Sequence, residues 1–282
     1  MTAVLFSVPV HESNDTILAT IANSRRFNGL QHSYMLHVDA NWQGFDPSIT
    51  SLHNVYVNPQ RWPTQHAHSQ IATHMTNFIA ATDLGLDFQY IAILHTSEMF
   101  VRRGMHDHIV GTDHALWFTP DTQPHGTQAW PPMDFAQQLS LFKDLFPAND
   151  RQGYLGNLLE GSWWSRELFA EMLSWTLRHH DLGQLQLPWA AEECFFPTLA
   201  WHLSAQGGNH RHPYCAFHHA DHFLPDTALV DGIRAGQDVT FWQPHNFVYD
   251  YRPFPSQGLF SVKRLPRDLT DPVRQYIACL AD

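Results

Sequence analysis

The stretch "AVLFSVPVHESNDTILATIANSRRFNGLQHSYMLHVDA", residues 3–40, decides the fold. "AVLFSVPV" is a short apolar run of the kind that forms a buried, central, parallel strand. Ser13 or Asn14 can cap a helix, and Ile17, Leu18, Ile21 and Ala22 then recur at helical spacing. "HSYMLHVDA" is a second strand, ending in Asp39. Strand, helix and strand in this order make a βαβ start, and a βαβ start implies a parallel sheet.

Working outward, "NVYVN" is a brief third strand and "HAHSQIATHMTNFIAATDLG" a long helix closing at Gly85. "FQYIAILHTSEMF" reads as a fourth strand that runs into polar residues, and "TPDTQPHGTQAWPPMDF" as a functional loop. "RELFAEMLSWTLRHH" is an amphipathic helix, residues 207–225 are irregular, and "DPVRQYIACL" is a closing helix with Pro272 in its first turn. There is no repeat and no linker. The expectation is one α/β domain over residues 1–282, with a mostly parallel sheet and helices on both faces. Ligands of such folds bind at the carboxyl ends of the strands. Asp39 and the group His95 to Glu98 fall at such ends.

Composition narrows the function. A net charge of −11 disfavours a nucleic-acid partner and an anionic membrane. Three scattered cysteines with no CxxC suit a reducing compartment. The first residues lack a basic n-region, and no apolar run is long enough to span a bilayer. A cytoplasmic protein is expected, with room for peripheral membrane contact. Oligomeric state is not legible. The absence of GxGxxG, GxxxxGK[ST] and GxSxG removes support for dinucleotide, P-loop and α/β-hydrolase chemistry.

Three stretches carry candidate chemistry. In "LPWAAEECFFPTLAWHL", residues 187–203, Pro197 belongs in a first helical turn, so a helix is expected to begin near residues 194–197. Glu192 and Glu193 then lie at or just before its N-terminus, where acids are favoured by the helix dipole. Alternatively, Trp189, Phe195 and Phe196 raise a carboxyl pKa there for acid–base work. "SVKRLPRD" concentrates Lys263, Arg264 and Arg267 in a chain with only 16 Lys and Arg, as a solvated loop or an anion clamp. The segment 210–222 is dense in histidine but matches no standard zinc spacing, so a polar loop is the plainer reading and a metal-dependent hydrolase the alternative.

These pieces, in this order, resemble the core-2/I-branching N-acetylglucosaminyltransferases and their bacterial relatives in polysaccharide synthesis. The opening "VPVHESNDTILATIANSRRFNGLQHSYMLHVDANW" is similar to theirs, with the strand ending in His37, Val38 and Asp39. "FQYIAILHTSEMFVRRG", "LEGSWWSRELFAEML" and "FSVKRLPRDLTDPVRQYI" resemble later segments. Glu193 precedes Thr198-Leu199 at the offset of the family's proposed catalytic base.

The resemblance implies a GT-A-like, Rossmann-like fold, with residues 1–100 as the nucleotide-binding half and 101–282 as the acceptor side and phosphate-binding segment. It implies an inverting transfer from a nucleotide sugar, with UDP as the guessed nucleotide, to a glycan or glycolipid. Glu193 becomes the general base and Glu192 an acceptor ligand. Val10, His11 and Asp39 would hold the nucleotide. Lys263, Arg264, Arg252 and Arg267 would hold the phosphates. Glu98, Gly161, Ser162, Trp163 and Trp164 would face the acceptor sugar, although the two tryptophans equally suit packing at a helix start. The resemblance also implies that no metal or other cofactor is needed, and the absence of a D-x-D after the fourth strand agrees with that. A non-catalytic nucleotide- or carbohydrate-binding protein of the same fold is the other reading.

Overall fold

The computed structural model describes residues 3–64, 70–117, 119, 141–146, 153–185, 187, 190–204, 207–217, 224–242 and 251–280. Strand β1 (Val4–Val10) leads into helix α1 (Asn14–Asn28) and strand β2 (Ser33–Val38). Ser13 caps α1 by accepting from the Thr16 N–H. Gly29 ends the helix in the left-handed region (φ +91°), donating to the Arg25 carbonyl. Strand β3 (Val55–Val57), helix α2 (Ile71–Asp83) and strand β4 (Tyr90–Ile93) follow.

Strands β6 (His114–Ala115), β7 (Trp163–Ser165) and β8 (His210–Arg211) complete a seven-stranded sheet of order β3-β2-β1-β4-β7-β6-β8. Its strands are parallel except β7, which runs against both β4 and β6. The expected mostly parallel sheet is present, and both halves of the chain build it.

Alternation along the strands sorts side chains into two cores, because successive residues point to opposite faces. Val4, Phe6, Val8 and Val10 of β1 pack with Ile17 and Ile21 of α1. Leu5 of β1, with Met35, Ile91 and Ile93, packs on the other face. The partners there are α2, α4 (Arg166–His179) and α5 (Glu192–Leu203), through Met75, Phe169, Phe195 and Phe196. Helices therefore cover both faces.

The stretch expected to be one long fourth strand is two. β4 ends at Ile93, and a turn in which the Glu98 N–H reaches the His95 carbonyl sends the chain into β5 (Glu98–Phe100). β5 belongs to a second sheet, beside the central β12 (Ser261–Lys263), with β9 (Cys215–Phe217) on the far side. The remaining elements are α3 (Met105–Ile109), α6 (Thr227–Ala235), the hairpin β10 (Asp238–Trp242) and β11 (Tyr251–Pro255), and α7 (Pro272–Cys279). No helix among the described residues is long and apolar enough to cross a membrane.

Strand order reverses between β1 and β4, so this is the switch point at which α/β sheets open a crevice. Pro9 sharpens it. The Val10 carbonyl accepts from Asp39 on the β2 side, so the N–H that Pro9 lacks would have faced β4, which has already ended.

Candidate active site

At the end of β2, Asp39 is buried, and both of its carboxylate oxygens accept hydrogen bonds from the protein. The Thr64 N–H (2.5 Å) and hydroxyl (2.8 Å) donate to Oδ2, and the Asn41 N–H (2.7 Å) donates to Oδ1. Burial works to raise its pKa, but these three bonds and the nearby His11 outweigh it and hold the group below the usual carboxylate range. Asp39 thereby anchors Thr64, 25 residues further along the chain.

At the end of β1, the Arg267 guanidinium donates to Glu12 Oε1, and His11 Nε2 lies 3.1 Å from the same oxygen. Glu12 is buried, whereas the Arg267 side chain is half exposed. Arg267 is placed by Arg274 of α7. That buried guanidinium donates to the Pro266 carbonyl and, at 2.7 Å, to the Thr96 carbonyl in the turn after β4.

A third group gathers around Lys263 of β12. Lys263 Nζ is 2.5 Å from Glu160 Oε1, with only 12% and 11% of the two side chains exposed. Lys263 pairs in register with Glu98, whose Oε1 accepts from the Ser261 hydroxyl at 2.6 Å. Glu192 accepts from the Gln70 N–H through Oε2 (3.3 Å). Burial pushes the carboxyls of Glu98 and Glu192 up to about 7. Hydrogen bonds and Lys263 oppose that rise, and Glu160 adds to it in both cases. His95, in the turn after β4, is held well below the usual imidazole range by burial and then by Lys263, with His74, Arg267 and His11 adding. Three acids and one lysine thus share one poorly solvated region. Such a region can keep a carboxyl ready to exchange protons near neutrality and can present a cation to an anion.

The start of α5 differs from expectation, and the reason is tertiary. The helix begins at Glu192 and keeps Pro197 inside it. Proline offers no N–H to the carbonyl four residues back, that of Glu193. The Asn157 N–H fills that place at 2.8 Å, and the Leu155 N–H donates to the Thr198 hydroxyl at 3.0 Å. Segment 153–160, which carries Glu160, is thereby stapled along the helix that carries Glu192 and Glu193. Glu193 itself is half-buried.

Of the described residues, three that are not glycine have positive φ: Asn54, Ala190 and Arg264. Ala190 lies two residues before Glu192, and Arg264 directly follows Lys263. Strained backbone of this sort gathers at functional sites.

Several expected contacts are corrected. Trp163 and Trp164 are buried on opposite faces of β7, one in each core, so neither offers a face to a sugar. The Ser162 side chain is buried and donates to the Leu158 carbonyl. Gly161 (φ +69°) packs so closely that a Cβ there would lie 2.5 Å from the Cys215 nitrogen. This segment shapes the interior. Val10 points into the first core, leaving His11 as the accessible member of that pair.

Arg264 is exposed. Arg252 lies opposite Phe241 in β11, with its side chain outside the described residues. His210 and His212 sit in aromatic packing, His212 stacked on Trp117 at 5.4 Å. His218, His219, Asp221, His222, Trp189 and residues 120–135, where a functional loop was expected, lie outside the described residues. Glu12 and Glu160 were not among the expected residues. Their partners, Arg267 and Lys263, stand 255 and 103 positions away, a separation that leaves no local signal.

No protein-family model matches the chain, and no characterised protein matches it in sequence. Two of the solved structures that are similar in part are the following. Core-mannan synthase A from Aspergillus fumigatus, in its Mn/GDP form, is 9% identical, with 64% of this chain and 63% of that one covered at a TM-score of 0.32. The present chain therefore spans only 63% of the mannan synthase's length. Glucosyl-3-phosphoglycerate synthase from Mycobacterium tuberculosis, in complex with Mn2+, UDP and phosphoglyceric acid, is 13% identical over 90% of this chain and 87% of that one, also at 0.32. Both hold manganese, and the expectation of a site without a metal is withdrawn on that finding. Among the described residues, no three His, Cys, Asp or Glu side chains are arranged to hold a metal ion. These residues do not by themselves fit one.

Proposed function

We propose that this chain is an inverting glycosyltransferase that moves a sugar from a UDP-sugar to a glycan or glycolipid acceptor, acting in the cytoplasm in bacterial surface-polysaccharide synthesis. The observation that carries the reading is that Glu192, at the start of α5 beside Glu193, lies in the field of Lys263 of β12 and of the Glu160 paired with it. It joins the motif resemblance described above with a site that holds both an acid–base group and a cation.

In this reading residues 1–100 hold the nucleotide within a single domain, with His11 and Asp39 beside the base and ribose. Residues 101–282 supply the acceptor side. Glu193 takes the proton of the acceptor hydroxyl as its oxygen attacks the anomeric carbon. Glu192, one residue before it, orients that hydroxyl. The bond from the anomeric carbon to the nucleoside diphosphate breaks with its electrons on the phosphate oxygen. Lys263, with Arg267 at the crevice, stabilises the charge that develops there, as a preorganised cation does in a water-poor site.

The test is sugar transfer and donor hydrolysis by the full chain over a panel of nucleotide sugars with Mn2+ present, alongside thermal-shift binding. Glu193→Gln is expected to lower turnover by about 10²–10⁴ while nucleotide binding persists. Lys263→Ala is expected to lose about 10²–10³ and to weaken diphosphate binding as well. A parent protein that neither binds nor consumes any nucleotide sugar overturns the reading. Full turnover in Glu193→Gln overturns the assigned base.

A further inference from the structure

We infer that Glu160 is a positioning residue that occupies Lys263 in place of the donor diphosphate and releases it when the donor binds. This rests on the proposed function, because it takes Lys263 as the cation that meets the diphosphate.

Four observations carry it. Lys263 is already engaged, its Nζ 2.5 Å from Glu160 Oε1 in a pair largely withdrawn from water. Attraction in such surroundings is screened far less than at the surface, so an incoming anion has to compete with the carboxylate. Next, Glu160 is held by rigid backbone. Gly161, directly after it, accepts from the Tyr214 N–H and lies against the Cys215 nitrogen, where a Cβ would come within 2.5 Å. On its other side, segment 153–160 is stapled to α5 through Asn157 and Leu155. The carboxylate stays where it is, and the long, flexible lysine stem is the part that can swing.

Further, Oε2 of Glu160 is buried and has no hydrogen-bond partner among the described residues, so Lys263 is the cation on which this carboxylate leans. Finally, Glu98 and Glu192 stand in the same field, and both have carboxyls that burial pushes up toward neutrality. Glu160 is thus the acid in direct contact with the lysine and the one a diphosphate must displace.

The exchange has a direction that ordinary active-site mutagenesis does not. Removing the charge of Glu160 at constant shape takes away the internal competitor and the nearest repulsion to an anion. Glu160→Gln is therefore expected to bind inorganic pyrophosphate and UDP more tightly, by about tenfold, equivalent to ~1.4 kcal/mol. Its KM for a UDP-sugar falls, and kcat does not rise in proportion because the product UDP also leaves more slowly. Glu160→Asp keeps the charge and is expected to stay near the parent affinity. In a Lys263→Met background, Glu160→Gln tightens binding much less than it does in the parent, because the group it frees is gone.

Calorimetry on the full chain with pyrophosphate and with UDP reads these affinities. Parent-like or weaker binding by a folded Glu160→Gln, while Lys263→Met still loses affinity, overturns the exchange and leaves the proposed function standing. Binding of neither probe by the parent overturns both. Should Glu160→Gln not fold, a crystal structure of the parent with UDP decides. Lys263 Nζ on a phosphate oxygen and away from Glu160 supports the exchange, and Lys263 still on Glu160 overturns it.

Discussion

The corner around Asp39 and the centre around Lys263 both place buried carboxyls near strand ends, yet they hold them in opposite ways. Asp39 is ringed by donors, with three hydrogen bonds closing on its two oxygens. Glu98 has the Ser261 hydroxyl on one oxygen, while its other is buried with no partner among the described residues. Glu192 relies on its own N–H and a long bond from Gln70. The outcome is a carboxyl held below its ordinary range at one place and two pushed up to about 7 at the other. All three are hidden from solvent, but Asp39 lies in the shallower, less desolvated place and collects more donors, and both differences hold its carboxyl down. The first arrangement builds a loop. The second keeps protons mobile at neutral pH.

The largest expected effect breaks this contrast at the centre. Glu98→Gln and Glu192→Gln should each stabilise the protein at pH 8 by about 2–3 kcal/mol, because each removes a charge that the fold disfavours. The sign follows from linkage. Raised carboxyls bind protons more tightly in the folded state, so stability declines as pH rises from the ordinary range near 4.5 to about 7 and is level above it. The gain should therefore vanish near pH 4.5. Urea midpoints at several pH values check it, and an equal gain at all pH values would sink the assignment.

At the corner the same kind of change should do the reverse. Asp39→Asn presents an NH₂ to donors and should cost about 1–3 kcal/mol at neutral pH, read by urea unfolding. Stability that Asp39 contributes is present above the ordinary carboxylate range and lost as pH falls through its lowered folded value, so the cost should shrink in acid. The smallest effect sharpens the account of the corner. Thr64→Val deletes one of the three bonds to Asp39 and should cost about 1 kcal/mol, with turnover close to the parent's.

The corner was more legible in the sequence than the centre, for reasons of distance along the chain. Residues 3–40 declare β1, α1 and β2 by local pattern, and Asp39 follows from where β2 stops. The centre is made by contacts between remote segments. β5 looked continuous with β4 because the turn at His95 carries no glycine or proline, and its true neighbour, β12, lies far along the chain. Pro197 placed the start of α5 too late because the donor that makes an internal proline tolerable comes from Asn157. Trp163 and Trp164 looked like flat faces for a sugar. A strand covered on both sides puts adjacent residues into different interiors, and nothing in the dipeptide announces that.

The position of β12 has one more consequence. It is the middle strand of its sheet, yet it comes after both neighbours in the chain. During synthesis β5 and β9 emerge first, and neither can close its ladder until residues 261–263 leave the ribosome. For that interval the nascent chain carries open strand edges. This is the period in which chaperone capture or misassembly competes with folding.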